Sequence, residues 1–147
     1  MFRRAALTWA LLIPVAITNG AIREFAVKPL LGERTARQVS AVTASAAFML
    51  LVYLMLRHHA GRETDRRLLE IGAAWVGASI LFEFGFGHYI EGNSWNELLN
   101  DYNVFAGRFW PVVLATVFVA PIVTKRIVER QETTAGHGHD PQPQGAA

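Results

Sequence analysis

Four stretches of this chain, 5–22, 39–56, 71–90 and 104–123, hold only two charged side chains between them, Glu83 and Arg108. A helix rises about 1.5 Å per residue, so each stretch is about as long as the ~30 Å hydrocarbon core of a bilayer is thick. A water-soluble four-helix bundle would set a polar stripe along each helix. Stretch 39–56 is instead apolar or small on every side. Four helices of that kind cannot all hide inside 147 residues. A transmembrane barrel needs alternating strands of about ten residues, and these runs are continuous. The expected fold class is therefore all-α, a four-helix transmembrane bundle with spans at 5–22, 39–56, 71–90 and 104–123. One domain over 1–130 accounts for all four spans. The tail, 131–147, is Gly, His, Pro and Gln-rich beyond Thr133 and cannot build a core, so it is expected to be disordered.

Composition narrows the chemistry. The chain has no Cys, which excludes disulfides, thiolate metal sites and cysteine nucleophiles. A net charge of +2 with the basic residues scattered gives no single field for nucleic acid, and none is expected as a partner. The lipid bilayer is the expected partner, with a membrane-protein partner or a second copy of the chain as further candidates. Arg3, Arg4, Arg57, Arg62, Arg66, Arg67, Lys125, Arg126 and Arg130 fall on the side of the two termini. Arg23, Lys28, Arg34, Arg37 and Arg108 fall on the other. That asymmetry places both termini in the cytoplasm. The alternative for the first stretch is a cleaved signal peptide, since a basic start precedes the apolar run and small residues lie near Gly20 and Ala21.

The connections carry their own signals. Segment 23–38 contains Pro29 and Gly32 and reads as an outer loop. Thr64 or Asp65 can cap the third long helix. Gly92, Asn93 and Ser94 read as a turn, and Glu97 stands three residues after Ser94, the spacing of a capping box. Trp95, Leu98, Leu99 and Tyr102 follow at helical spacing, as a short helix in the outer membrane interface would require; the alternative is a tight loop with Trp95 as an anchor. Ala73 with Gly77, and Ala74 with Ala78, are small-xxx-small pairs that let helices pack closely.

Polar chemistry concentrates at the outer ends of the four spans. Asn19, Arg23 and Glu24 close the first, Gln38 and Ser40 open the second, Glu83 and His88 close the third, and Asn103 and Arg108 open the fourth. A carboxylate at the depth of Glu83 costs several kcal/mol facing lipid, roughly 2.5–3.5 at the centre on insertion scales, so it should face the bundle. Arg23 and Arg108 are its expected partners, because a guanidinium fork matches a carboxylate. The nine residues form a candidate ligand-binding set, with no catalytic residue, no metal ligand set and no cofactor expected. Gly85 and Gly87 form a G-x-G on a membrane helix rather than after a strand, so they are no dinucleotide fingerprint. Glu83 and His88 lie five apart, about 140° around a regular helix, and could share an active site only if the Gly85–Gly87 segment unwound.

The strings 19–24, 82–89, 101–103 and 107–111, together with Ser94 and Trp95, resemble an uncharacterised family of small bacterial four-helix inner-membrane proteins. The resemblance covers most of 5–123 and is most specific in the third-helix string. It implies an inner-membrane, multi-pass protein whose outer polar residues are a common feature, and it implies no activity. The functional expectation is a non-enzymatic membrane protein that binds a small molecule, ion or lipid headgroup in an outward-facing polar pocket. The alternatives are a membrane scaffold or assembly factor whose polar cluster only stabilises the bundle and, third, an intramembrane enzyme using Glu83 and His88.

Overall fold

The structure is a computed structural model and describes residues 2–90, 92–100, 102–103 and 109–137. Its elements are α1 (Phe2–Ile22), a π-helical turn (Arg23–Val27), α2 (Lys28–Ala60), α3 (Asp65–Tyr89), α4 (Trp95–Asn100) and α5 (Trp110–His137), with no strand among the described residues. Four helices are long, and α4 is a single short one between α3 and α5.

Segment 23–38 is helical, not the loop its Pro and Gly suggest. Lys28 N–H donates to the Arg23 carbonyl, one residue further back than in an α-helix. Pro29 has no N–H to continue the α ladder at that point, and the wider turn accommodates it. Glu24 pairs with Lys28, Lys28 with Glu33 at 3.0 Å and Glu33 with Arg37 at 2.6 Å, a ladder at near-helical spacing along the segment. Reversal of the chain is left to one residue, Gly32, at φ 77° and ψ 165°. That region is essentially closed to residues with a Cβ. The consequence is visible at Asn19, whose Nδ2 donates to Ser40 Oγ at 2.7 Å. A straight helix would hold those residues about 30 Å apart.

From Ala36 to Ala60 every fourth residue of α2 is buried, a single ridge that slopes across the helix. Phe48, Val52 and Leu56 of this ridge meet Val113, Val117 and Ala120 of α5 in the core. The backbones of α5 and α3 come closest at Gly72, where an added Cβ would lie 2.1 Å from the Phe118 carbonyl oxygen. Close packing therefore runs through Gly72 rather than through the small-xxx-small pairs. Ala73, Ala74 and Gly77 are exposed, and nothing lies within 4 Å of a Cβ built on Gly77. α1 packs on α2 but has no comparable backbone contact with α3. Two indoles span that seam: Trp75 Nε1 donates to the Ala5 carbonyl at 3.0 Å, and Trp9 Nε1 to Ser79 Oγ at 3.2 Å.

The helix ends follow the sequence. Thr64 is extended and its hydroxyl accepts from Arg67 N–H at 3.4 Å, so Thr64 caps α3. Asp65 instead binds Lys125 at 2.6 Å and Arg126 at 2.8 Å, fastening the start of α3 to α5. Ser94 and Glu97 form the capping box: Ser94 N–H and Oγ–H each donate to Glu97 Oε2 at 2.8 Å, and Glu97 N–H donates back to Ser94 Oγ at 3.3 Å. Gly92, at φ 72°, makes the turn before it. Ser94→Ala is expected to cost about 1 kcal/mol, seen as faster amide exchange across α4. The Ser94 N–H and hydroxyl hold the Glu97 carboxyl below the usual carboxylate range. Its support of α4 is therefore full above the ordinary carboxylate value and fades as pH falls through the lowered one.

Two boundaries differ from the sequence reading. The last long helix starts at Trp110 rather than Val104, with Pro111 in its first turn, where a missing N–H is harmless; residues 104–108 lie outside the described residues. It also runs past 131, the expected start of the tail, to His137, with Thr133 and Thr134 hydroxyls donating to the carbonyls of Glu129 and Arg130. Residues 138–147 lie outside the described residues.

Three helical stretches, Phe2–Ala60, Asp65–Tyr89 and Trp110–Ala135, are long and apolar enough to cross a membrane. The first is bent at Gly32 into two limbs. Phe25, Leu30, Leu81 and Ile17 are 83%, 82%, 76% and 65% exposed.

Candidate functional site

A cavity of about 580 Å³ lies among α1, α2, α3 and α5, at the end away from the termini. Its α1 wall is a helical stripe, Trp9, Leu12, Ile13, Ala16, Ile17 and Gly20, at alternating steps of three and one, continued by Arg23 of the π-helical turn. The deep end is apolar, with Leu12, Phe48 and Val117. The other end is polar, with Asn19, Arg23, Arg37, Ser40, Glu83 and Tyr102. A cavity of this size with an apolar body and a few convergent polar groups has the usual form of a small-molecule site.

Glu83 does face the bundle, but the partners it shows are neutral. Its Oε2 accepts from Tyr102 O–H and from Trp110 Nε1–H, both at 2.7 Å. Burial, and then the bond to Glu83, raise the Tyr102 phenol well above its ordinary value, so Tyr102 stays a protonated donor. Arg23 shares the cavity with Glu83 without forming an ion pair with it. The expected Arg23 partnership is thus replaced by two aromatic donors. The physical reason is reach: α4 folds back over the end of α3. Leu98 sits where a Cβ on Gly87 would be 2.6 Å from its Cδ2, and Trp95 stacks on Phe84 with centroids 6.1 Å apart. That packing delivers Tyr102 to Glu83. Arg108 lies outside the described residues.

Of the nine expected site residues, four line this one cavity: Asn19, Arg23, Ser40 and Glu83. Asn19 ties α1 to α2, donating to the Ser40 carbonyl and hydroxyl and accepting from Thr43 Oγ1 at 2.7 Å. Glu24 is turned out to its ion pair with Lys28. Gln38 and Asn103 are exposed and do not line the cavity. His88 is occupied elsewhere: its ring stacks on Trp95 at 4.0 Å and its Nδ1 lies 2.9 Å from the Asn93 carbonyl. α3 stays helical through Gly85 and Gly87, so Glu83 and His88 do not converge. Leu98 of the short helix α4 and Tyr102 in the turn after it face inward to the cavity rather than outward to an interface, while Leu99 remains 58% exposed.

Trp9, Ser79, Tyr102 and Trp110 are the functional candidates that sequence reasoning passed over. Trp9 was accessible from pattern, because it stands in register with Leu12, Ala16 and Gly20 on one helix face. Tyr102 and Trp110 read equally well as headgroup anchors, and only the fold-back of α4 separates the two uses.

No family model, curated protein or solved structure matches this chain.

Proposed function

We propose that this chain is a multi-pass membrane protein, with both termini in the cytoplasm, that holds a small amphipathic molecule in the cavity among its long helices without catalysing a reaction on it. Three helical stretches of membrane-crossing length support the first part, as do large apolar side chains turned outward. The basic asymmetry supports the orientation. The observation that carries the binding reading is the cavity itself, apolar at one end and polar at the other, with Glu83 held by neutral donors. A bundle that needed Glu83 only as glue would have closed around the carboxylate, since lost contacts along an empty wall are destabilising.

A second reading, a scaffold whose polar cluster fastens the helices, draws on the same carboxylate. Glu83 links α3 to Tyr102 and to the first residue of α5. Chemical labelling separates the two. The chain has no native cysteine, so S79C places one thiol on the cavity wall. Binding predicts that N-ethylmaleimide labels this thiol and that a bound amphiphile slows the labelling. A closed scaffold predicts no labelling in the folded protein.

A further inference from the structure

The route into this cavity says what kind of molecule it takes. Among the residues that line it, Ile17 of α1 is 65% exposed, and Phe82 and Phe86 of α3 are 40% and 44% exposed. The same side chains thus belong to the cavity wall and to the outer surface, on the two helices whose backbones stay apart. These exposed lining residues mark the α1–α3 seam as the side on which the cavity wall and the outer surface share side chains. The Phe82 and Phe86 rings stack at 5.6 Å on one side of this seam. Gly20 lies on the other, with nothing within 4 Å of a Cβ built there. Below them the seam is shut by the Trp9–Ser79 and Trp75–Ala5 bonds. α4 roofs part of the polar end. In a bundle embedded in lipid, a seam bordered by Ile17, Phe82 and Phe86 faces acyl chains, not water.

Charge at the polar end selects the head of such a molecule. Arg37 is paired with Glu33, whereas Tyr102 and Trp110 hold the Glu83 carboxylate as neutral donors and leave its charge in place on the α3 side of the cavity. The Arg23 guanidinium lines the cavity and has no ion pair or side-chain hydrogen bond among the described residues. A half-buried guanidinium beside apolar walls favours an anionic oxygen group. The volume, about 580 Å³, corresponds to roughly 20 non-hydrogen atoms at ~30 Å³ each, the share of a water in the liquid. That is room for one head and one chain.

We infer that the ligand is a single-chain anionic amphiphile resident in the bilayer, which enters laterally between α1 and α3 and seats its head at Arg23. This rests on the binding reading above and adds route and class to it. The test uses 11-bromoundecyl phosphate added to the protein in phosphatidylcholine nanodiscs. Its bromine quenches the indoles of Trp9 and Trp110 when it occupies the cavity. Saturable quenching is expected in the wild type, in Gly20→Ala and in excess glycerol 3-phosphate. Gly20→Phe, which fills the seam from a position with open space, should weaken the apparent Kd about tenfold or more, as should Arg23→Gln, which removes a charge-assisted contact. Quenching that survives Gly20→Phe, or that glycerol 3-phosphate abolishes, would overturn the lateral route while leaving the binding reading in place. Loss with Gly20→Phe but not with Arg23→Gln would overturn the anionic head. Absence of saturable quenching in the wild type would remove the binding reading as well.

Discussion

Glu83→Ala should lower the unfolding free energy by about 3 kcal/mol, the largest loss expected from any polar side chain among the described residues. The carboxylate accepts two short bonds on one oxygen, from Tyr102 and Trp110. Hydrogen bonds to a charged group contribute about 1.5–3 kcal/mol each, and the two share an acceptor, so their losses do not simply add. Removal also leaves the Tyr102 phenol and the Trp110 indole N–H without their acceptor. Glu83→Gln keeps a carbonyl oxygen at the same place and should cost only about 1 kcal/mol. The local signature is as informative as the total. Because the Tyr102–Glu83 bond adds to the Leu98 and Trp95 contacts that hold α4 on α3, amide exchange across Trp95–Asn100 should rise in Glu83→Ala while exchange at the Asp65 end of α3 stays as it was. Denaturant titration in mixed micelles measures the first quantity and hydrogen exchange the second. Equal stability of Glu83→Ala and the wild type would show that the two aromatic donors are incidental.

The second large effect is steric. Gly72→Ala drives a methyl group to 2.1 Å from the Phe118 carbonyl oxygen. Backbone cannot yield as a side-chain tip can, so α3 and α5 must separate. The expected cost is about 3 kcal/mol, at the upper end of ordinary overpacking. Gly77→Ala, one turn and a half along the same helix, is the control. It meets nothing within 4 Å and should be neutral or stabilising by up to about 1 kcal/mol from helix propensity. Thermal unfolding of both variants in the same detergent checks the pair. A Gly77→Ala variant weaker than Gly72→Ala would mean that the helix face at Gly77 is the one in contact.

These two cases mark how far the sequence could be read. The long apolar runs announce long helices, and the Ser94–Glu97 and Thr64 caps are found where their spacing puts them. Such signals are local, and the chain around them has no cheaper way to satisfy its backbone. Segment 23–38 reads as a loop because Pro29 and Gly32 are strong breakers in isolation. Here one is absorbed by a wider turn and the other makes the reversal alone, within an ion-paired helix. The partner of Glu83 was illegible for a different reason. Depth along a helix is readable from the sequence, and it correctly set Arg23 and Glu83 at one end. The azimuth of α4, which brings Tyr102 inward, depends on Leu98 fitting the gap over Gly87, a contact between residues that no periodicity links. Small residues on α3 illustrate the same limit: the pattern names Ala73, Ala74 and Gly77 as readily as Gly72, and only the approach of Phe118 distinguishes them.

The central claim is that the four-helix core encloses a site a molecule can occupy, and the thiol at position 79 tests it most directly. In S79C the thiol replaces a hydroxyl that accepts from Trp9 on the cavity wall. A cysteine at Ala73, on the exposed face of the same helix, supplies the comparison. The account predicts that N-ethylmaleimide labels S79C in the folded protein, that 11-bromoundecyl phosphate slows this labelling in proportion to its occupancy of the cavity, and that the amphiphile leaves A73C labelling unchanged. Labelling of S79C that is absent until the protein is unfolded, or that the amphiphile slows no more than it slows A73C, would contradict it.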